Sequence, residues 1–312
     1  MREFIVDGHS DILLNYLRDK KYDFKNHTDF QVDLPKLKEG NIGLEVFAVC
    51  SALKGDKALK KSLKLVDKFN CLIKNNPEIE LAKNYKDIKK IVSEDKIAAI
   101  LAIEGADGIS DLSILRVFYK LGVRMITLTW NYRNDIADGI DEIEENRGVT
   151  KYGKKFIEEM NRLGMIIDLS HLTPASFWDT IKYSKGPLVA SHSNVKNICN
   201  HKRNLSDKQI KAIADRNGLI GINFCPEFIK SSNKVQIKDI VDHIKYLKDF
   251  VGIDHIALGT DYDGISETPE NLDNISKIPD LVKELKKNEF NSEEIAKITR
   301  DNWLRIFKNV LD

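Results

Sequence analysis

Eight short apolar runs recur along the chain, and a segment with helical character follows each of them. Several runs are hydrophobic throughout rather than alternating, as in Ala-Ala-Ile-Leu-Ala-Ile, which is typical of parallel strands covered on both faces. The pattern therefore predicts eight buried strands. They are Phe4–Asp7, Gly43–Cys50, Ala98–Glu104, Met125–Trp130, Met165–Leu169, Pro187–His192, Leu219–Phe224 and His255–Asp261.

The segments between these runs are amphipathic and rich in lysine, which predicts helices with one solvated face. Ser110 is expected to cap the helix Ser110–Leu121, and Ser206 with Gln209 fits a capping box. The other predicted helices are Lys57–Lys74, Lys154–Leu163, Thr173–Ile181, Ser206–Ala214, Lys238–Phe250 and, after the last strand, Ile275–Lys287 and Ser292–Val310.

Strand and helix alternating eight times predict an α/β protein with a (β/α)8 barrel fold, the TIM barrel. A doubly wound open sheet is the alternative, but it usually has a glycine-rich phosphate turn after its first strand. Here His9 and Asp11 occupy that turn. We find no linker and no repeat, so residues 1–312 are predicted to form one domain, with the C-terminal helices packed outside the barrel.

Composition and charge exclude several partners. The chain has 49 Lys and Arg against 48 Asp and Glu, with the signs interleaved, and a nucleic-acid interface would need a one-sided basic excess. No apolar segment approaches the roughly 18 residues of a membrane span, and no signal-peptide core follows Met1. The four cysteines form no close pair, which is typical of reduced thiols. We therefore expect a cytoplasmic protein with no membrane or nucleic-acid partner.

Polar residues with metal-binding side chains follow most of the predicted strands. Barrels of this class build their active sites at the carboxyl ends of the strands, so these residues are expected to converge. The set consists of His9, Asp11, Glu104, His171, His192 and Asp261. The remaining histidines, His27, His201, His243 and His255, are interpreted as ordinary polar residues. Imidazole and carboxylate groups bind divalent cations well, and the convergence therefore predicts a metal site.

The number of candidate ligands suggests two metal ions. His9, Asp11, Glu104, His171 and His192 exceed the roughly three protein ligands that a single catalytic zinc keeps. Glu104 has two oxygens and is the natural bridge between a His9/Asp11 ion and a His171/His192 ion. Ions about 3.5–4 Å apart share a hydroxide and polarise a carbonyl oxygen. Asp261 is placed to carry the proton from that hydroxide to a leaving amine. Zinc is preferred, although manganese and cobalt suit the same ligands.

The chain resembles the membrane (renal) dipeptidase family, the M19 metallopeptidases of the amidohydrolase superfamily. The resemblance implies a dinuclear zinc dipeptidase with Glu104 bridging, tolerance of a D residue at the C-terminal position of the dipeptide, and a homodimer. It also implies that Asp261 transfers the proton and that Arg203 binds the substrate carboxylate, whereas the sequence pattern alone indicates a surface residue at Arg203. The motifs are Asp7-Gly-His-Ser-Asp11, Ile103-Glu-Gly105, Ile167-Asp-Leu-Ser-His171, Ser191-His-Ser193, Lys202-Arg-Asn-Leu-Ser-Asp207 and Gly259-Thr-Asp-Tyr-Asp-Gly264.

The chain departs from the family pattern at the end of the fourth strand. Animal members carry there a histidine that contacts the substrate, and the matching position here is Trp130, followed by Asn131. Tryptophan has a single N–H donor and cannot accept a proton. Asn131 or a water molecule is expected to take over the contact with the substrate, with Trp130 beside it. The secretion signal and lipid-anchor tail of those members are also missing, which favours an intracellular relative.

Two other functions remain open at this level. One is a related amidohydrolase that acts on N-acyl amino acids or lactones, although Met125–Asn131 lacks the lysine that lactonases and dihydroorotases carboxylate as their bridge. The other is a barrel that binds metal without catalysis. Asp261 argues against the second function, since a non-catalytic site does not need a proton carrier.

Overall fold

Parallel strands form one sheet in the computed structural model of the chain, which describes residues 3–19, 21–26, 29–231 and 234–312. His27, interpreted above as an ordinary polar residue, lies outside the described residues. The strands are Ile5–Ser10 (β1), Ile42–Cys50 (β2), Ile79–Leu81 (β3), Ile97–Glu104 (β4), Val123–Thr127 (β5), Ile166–Asp168 (β6), Val189–Ala190 (β7), Leu219–Ile222 (β8) and Ile256–Leu258 (β9).

Eight of these strands follow one another around a nearly closed barrel in the order β1-β2-β4-β5-β6-β7-β8-β9. The first and last strands meet at the mouth, where Asp11 N donates to Tyr262 O at 2.8 Å and Asp261 N donates to His9 O at 3.0 Å. The predicted (β/α)8 barrel is confirmed. The short strand β3 was not predicted, and it pairs with Ile97–Ala99 at the start of β4.

Helices connect and cover the strands much as the sequence pattern predicts. One cap differs, because Asp111 rather than Ser110 accepts from the Ser113 N–H at 2.6 Å. The capping box holds, since Gln209 accepts from the Ser206 N–H at 3.0 Å. The α-helices are Asn15–Arg18 (α1), Leu34–Glu39 (α2), Gly55–Asn75 (α3), Tyr85–Ser93 (α4), Leu112–Lys120 (α5), Lys151–Leu163 (α6), Pro174–Tyr183 (α7), Asp207–Asp215 (α8), Pro226–Ile229 (α9), Ile237–Val251 (α10), Ile278–Lys287 (α11), Ser292–Ala296 (α12) and Asn302–Leu311 (α13).

The C-terminal helix α13 closes the barrel at the end opposite the mouth. Trp303 and Phe307 share a hydrophobic cluster with one or more side chains from each of the eight barrel strands. The Trp303 indole donates to Leu258 O at 2.8 Å and lies so close to Gly8 that a side chain at that glycine would overlap it. The terminal helices were predicted to pack outside the barrel, and α13 does so at its end, where Trp303 packs against the interior side chains.

The alternation of side chains along β2 and β4 decides which residues reach the mouth. Neighbouring side chains on a strand face opposite sides of the sheet. Leu44 and Val46 belong to the cluster inside the barrel. Cys50 is an even number of residues further along the same strand, so its side chain also faces inwards. The two strands pair without interruption from Leu44 beside Ala98 to Cys50 beside Glu104. Glu104 therefore ends its strand with its carboxylate in the barrel mouth.

Among the described residues, no helix combines the length and the apolar character that crossing a membrane requires.

Candidate metal centre

Glu104 lies at the middle of the predicted ligands. Its Oε1 is 2.9 Å from His171 Nε2 and 3.6 Å from His192 Nε2, while its Oε2 is 3.8 Å from His9 Nε2. The carboxylate thus turns one oxygen towards each group of histidines. This is the arrangement that a bridging carboxylate requires.

The remaining predicted ligands complete the cluster around His9. His9 Nε2 lies 3.8 Å from Asp11 Oδ2 and 4.0 Å from Asp261 Oδ1. Ligand atoms lie within 4.8 Å of one another in three overlapping trios. The trios are His9/Glu104/His192, His9/Asp11/Asp261 and Asp11/Cys50/Glu104. The structure therefore brings all five predicted ligands, together with Asp261, to one place.

His9 and Asp11 have unused polar atoms in a buried site. Both ring nitrogens of His9 and the Oδ1 atom of Asp11 lack a hydrogen-bond partner, although the residues are 0% and 4% exposed. Leaving a buried polar atom unsatisfied costs about 1–3 kcal/mol. A bound cation would satisfy these atoms, so the residues present fit a metal site.

The charge around His9 supports the same conclusion. Burial lowers the pKa of His9, but the carboxylates of Asp11, Glu104 and Asp261 outweigh it and raise that pKa to about 10. Burial also raises the pKa of Asp261 to about 7. The carboxylates at this end of the site thus favour a positive charge strongly enough to retain a proton on the imidazole. A divalent cation bound here would compensate the negative charge of these carboxylates in place of the proton.

His171 and His192 are held differently, since each has a hydrogen-bond partner on its outer nitrogen. His171 Nδ1 donates to Asn131 Oδ1 at 2.6 Å. His192 Nδ1 donates to Ser191 Oγ at 2.7 Å, because that hydroxyl itself donates to Asp168 Oδ2 at 2.5 Å. These bonds direct both Nε2 lone pairs into the site, where the two atoms are only 2.9 Å apart. Two neutral imidazoles that present Nε2 in this way are suited to bind one cation.

Burial, and then the charges of neighbouring cationic groups, lower the pKa of His171 and of His192 well below the ordinary value. Both rings are therefore neutral, which is the form that binds metals.

Asp168 supports this half of the site and was not predicted. Its two oxygens accept from Thr127 Oγ1 at 2.7 Å, from Ser170 N at 3.0 Å and from the Ser191 N–H and hydroxyl at 2.9 and 2.5 Å. The sequence did contain a signal, because Asp168 interrupts an otherwise apolar run. Asn223 was also missed, and its amide donates to Asp261 Oδ2 at 2.8 Å.

Two of the predicted residues have unusual backbone angles. His171 has a φ of 68° and Asp261 a φ of 64°, in the left-handed region that side chains other than glycine rarely adopt. Such angles are typical of functional sites, where surrounding structure imposes them. These backbone angles change the direction of each side chain after its strand ends.

A cavity of about 650 Å³ opens above the cluster, a size typical of small-molecule sites. Trp130, Asn131 and Arg203 line it together with the candidate site residues Asp11, Glu104, His171 and Asp261. Arg203 is only 7% exposed, so the sequence pattern was wrong to indicate a surface residue. Its Nη2 has no hydrogen-bond partner, and its guanidinium lies 5.5 Å above the Phe228 ring. This leaves a buried cation directed at the cavity.

Comparisons with known proteins show which sequences and structures the chain resembles. The family model described as Membrane dipeptidase (Peptidase family M19) matches residues 1–312. A Schizosaccharomyces pombe protein described as an uncharacterized dipeptidase is 32% identical over 331 residues, covering 97% of this chain and 80% of that protein.

Solved structures share the whole fold. A metallopeptidase from Rhodobacter sphaeroides, liganded with a phosphinate mimic of the dipeptide L-Ala-D-Ala, has a TM-score of 0.93 at 24% identity and covers 98% of this chain and 99% of its own. The probable dipeptidase PvdM from Pseudomonas aeruginosa has a TM-score of 0.89 at 22% identity, with 98% and 96% covered. At these identities the likeness establishes the fold.

Proposed function

Because this chain belongs to the membrane dipeptidase family, peptidase family M19, it is a metal-dependent dipeptidase, and we propose that it works with two zinc ions bridged by Glu104. The single observation that carries the proposal is the position of Glu104, with one oxygen towards His171 and His192 and the other towards His9.

The five ligands divide between the two ions according to their positions. His9 and Asp11 would hold one zinc ion, and His171 and His192 would hold the other. When bound, the pair supplies a hydroxide nucleophile near neutral pH and polarises the scissile carbonyl. The neutral imidazoles and the unpartnered atoms of His9 and Asp11 support this division.

Asp261 carries the proton in this proposal. Asn223 holds its Oδ2 at 2.8 Å, while its Oδ1 faces His9 at 4.0 Å. A carboxylate in this place accepts the proton of the attacking water and delivers it to the leaving amine. Burial raises the pKa of Asp261 to about 7, and a group that titrates near the working pH exchanges protons most effectively.

Arg203 binds the terminal carboxylate of the dipeptide. A hydrogen bond between two charged groups is about twice as strong as one between neutral groups, and a guanidinium presents two parallel donors to a carboxylate. Burial of Arg203 in the cavity and its unpartnered Nη2 support this role.

Trp130 and Asn131 complete the substrate site. The Asn131 carbonyl is engaged by His171 at 2.6 Å, so its amide NH2 group is what it offers to the substrate. Trp130, whose ring centroid lies 6.4 Å from that of His171, supplies an apolar wall and one N–H donor. Together they would take the place of the family's strand-four histidine without accepting a proton.

We extend the proposed substrates to dipeptides with a D residue at the C-terminal position, since the related R. sphaeroides enzyme binds a mimic of L-Ala-D-Ala. The four cysteines are free, which suits a reducing compartment, and a cytoplasmic location is part of the proposal. A homodimer remains a prediction from the family.

The direct experiment is hydrolysis of a panel of L,L, L,D and D,L dipeptides by the zinc-loaded protein. Chelation should abolish turnover, and returning zinc should restore it. Bound zinc with no hydrolysis of any dipeptide would favour the non-catalytic barrel. Turnover of N-acyl amino acids alone would favour the related amidohydrolase.

The substrate orientation has its own test in Arg203→Ala. This variant should raise KM for dipeptides with a free carboxylate far more than for their C-terminal amides. Lys202→Ala is the matched control, because Lys202 is the adjacent cation and pairs with Asp141 at the rim. Equal effects of Arg203→Ala on both substrates would contradict carboxylate binding.

A further inference from the structure

The end of β2 places a thiol in the metal centre. Cys50 is the last residue of β2 and lies beside Glu104 in the register with β4. It is 4% exposed. Its sulfur forms a trio with ligand atoms of Asp11 and Glu104 in which all atoms are within 4.8 Å of one another. No other described cysteine takes part in such a trio.

A second observation at the same place points to a ligand. Asp11 belongs to the trio, and its buried Oδ1 has no hydrogen-bond partner. His9, on the same strand as Asp11, has no partner on either ring nitrogen. A cation bound by Asp11 and Glu104 would lie beside Cys50, because the three side chains belong to one trio.

We propose that Cys50 Sγ is a further donor to the cation held by His9 and Asp11, a role that rests on the function proposed above. Zinc–sulfur and zinc–oxygen bonds of about 2.3 and 2.1 Å allow two donors of one ion to lie up to roughly 4.4 Å apart. The atoms of the Asp11/Cys50/Glu104 trio lie within 4.8 Å of one another, so a side-chain rotation that brings them about 0.4 Å closer would let them share an ion. The thiol proton leaves to solvent when the sulfur binds.

The consequence is that the two metal positions differ in chemical preference. A thiolate ligand favours soft cations such as zinc and cadmium, whereas carboxylate and imidazole also accept manganese. The His9/Asp11 position should therefore select thiophilic cations, and the His171/His192 position should be less selective.

Cobalt and cadmium spectroscopy tests this assignment. The full chain, with the exposed Cys71 replaced by serine, is depleted of metal and titrated with Co²⁺ or Cd²⁺. Thiolate ligation gives an ultraviolet charge-transfer band, which we expect in the Cys71→Ser protein. The band should remain when the control substitution Cys225→Ser is added, because Cys225 lines the same cavity but belongs to none of the trios. The band should be lost when Cys50→Ser is added. Cys50→Ser should also reduce the preference for zinc over manganese at one of the two positions.

Failure of the two proposals is distinguishable. Binding of two equivalents of Co²⁺ with dipeptide hydrolysis but without the band would overturn the role of Cys50 and leave the proposed function intact. A band that persists in the Cys50→Ser protein would do the same. Absence of any metal binding would overturn both proposals. The band is read first on the chain that retains Cys50, so the result does not depend on how the Cys50 variant folds.

Discussion

The two halves of the proposed metal centre, defined by His171/His192 and by His9/Asp11, are built in opposite ways. In the His171/His192 half, each imidazole is held by a hydrogen bond on its outer nitrogen, to Asn131 at 2.6 Å and to Ser191 at 2.7 Å. In the His9/Asp11 half, neither ring nitrogen of His9 has a partner. The protonation behaviour differs accordingly, because the pKa of His171 is lowered well below normal and that of His9 is raised to about 10.

This difference indicates how the site is assembled. Hydrogen bonds to the outer nitrogen fix the tautomer and orientation of a ligand histidine before metal arrives. The protein therefore preorganises the His171/His192 half by itself, whereas the His9/Asp11 half is completed only by a positive charge. Glu104 contacts both halves, which makes it the residue whose loss should matter most.

Glu104→Gln should have the largest effect. It removes the charge that both halves share, so metal content should fall to one ion or none per chain. Turnover should fall by more than about 10⁴-fold, beyond the range expected for loss of a proton carrier alone. Elemental analysis of the purified variant provides the check, and unchanged occupancy would remove the bridging assignment.

Asp261→Asn should reduce kcat by about 10²–10⁴-fold, the usual contribution of general acid–base catalysis. Both ions should remain, because Asp261 is proposed to move protons rather than to hold metal. Steady-state kinetics with metal analysis on the same sample separate the two roles. Loss of metal with normal activity per remaining ion would show that the proton-transfer role is wrong.

Metal removal should make stability depend on pH through His9. Its pKa in the folded, metal-free protein is raised from 6.5 to about 10, so the folded state holds the proton more tightly than the unfolded state. The stabilisation is complete below about pH 6.5 and is lost as the pH rises to 10, with a change on the order of a few kcal/mol. Denaturant unfolding at several pH values measures it. In the zinc-loaded protein and in the metal-free His9→Gln variant, the free energy of unfolding should not show this decrease over the same pH range.

The support of the preorganised half should give the smallest effect. Ser191→Ala removes the hydroxyl between His192 and Asp168, and loss of such support lowers metal affinity by about 10–100-fold. Ser193→Ala is a close control, because its buried hydroxyl has no hydrogen-bond partner. Competition with a metal-binding dye measures the affinity. Equal effects of the two substitutions would contradict the preorganised role of Ser191.

The sequence predicted the barrel and the residues at its mouth because both depend on local patterns. A run of apolar residues followed by His, Glu or Asp identifies a strand end, and topology brings strand ends together. His9, Glu104 and His192 were placed by this reasoning alone. Arg203 needed the resemblance to a family, since nothing in its neighbours indicates that the structure buries it.

Other features could not be predicted because they depend on tertiary contacts. Strand β3 has the sequence Ile-Glu-Leu within a polar stretch, so it contains no apolar run, and it forms by pairing with β4. The left-handed backbone at His171 and Asp261 occurs at residues other than glycine, which rarely adopt it. The packing of Trp303 against the barrel interior depends on the close approach of Gly8. None of these features has a counterpart in local hydrophobic periodicity.

Anomalous X-ray scattering from crystals grown with zinc tests the central claim most directly. We predict two zinc peaks in the barrel mouth, one beside His9 and Asp11 and one beside His171 and His192, with Glu104 contacting both. Full zinc loading with no peak among these side chains, or with a single peak bound by one half alone, would contradict it.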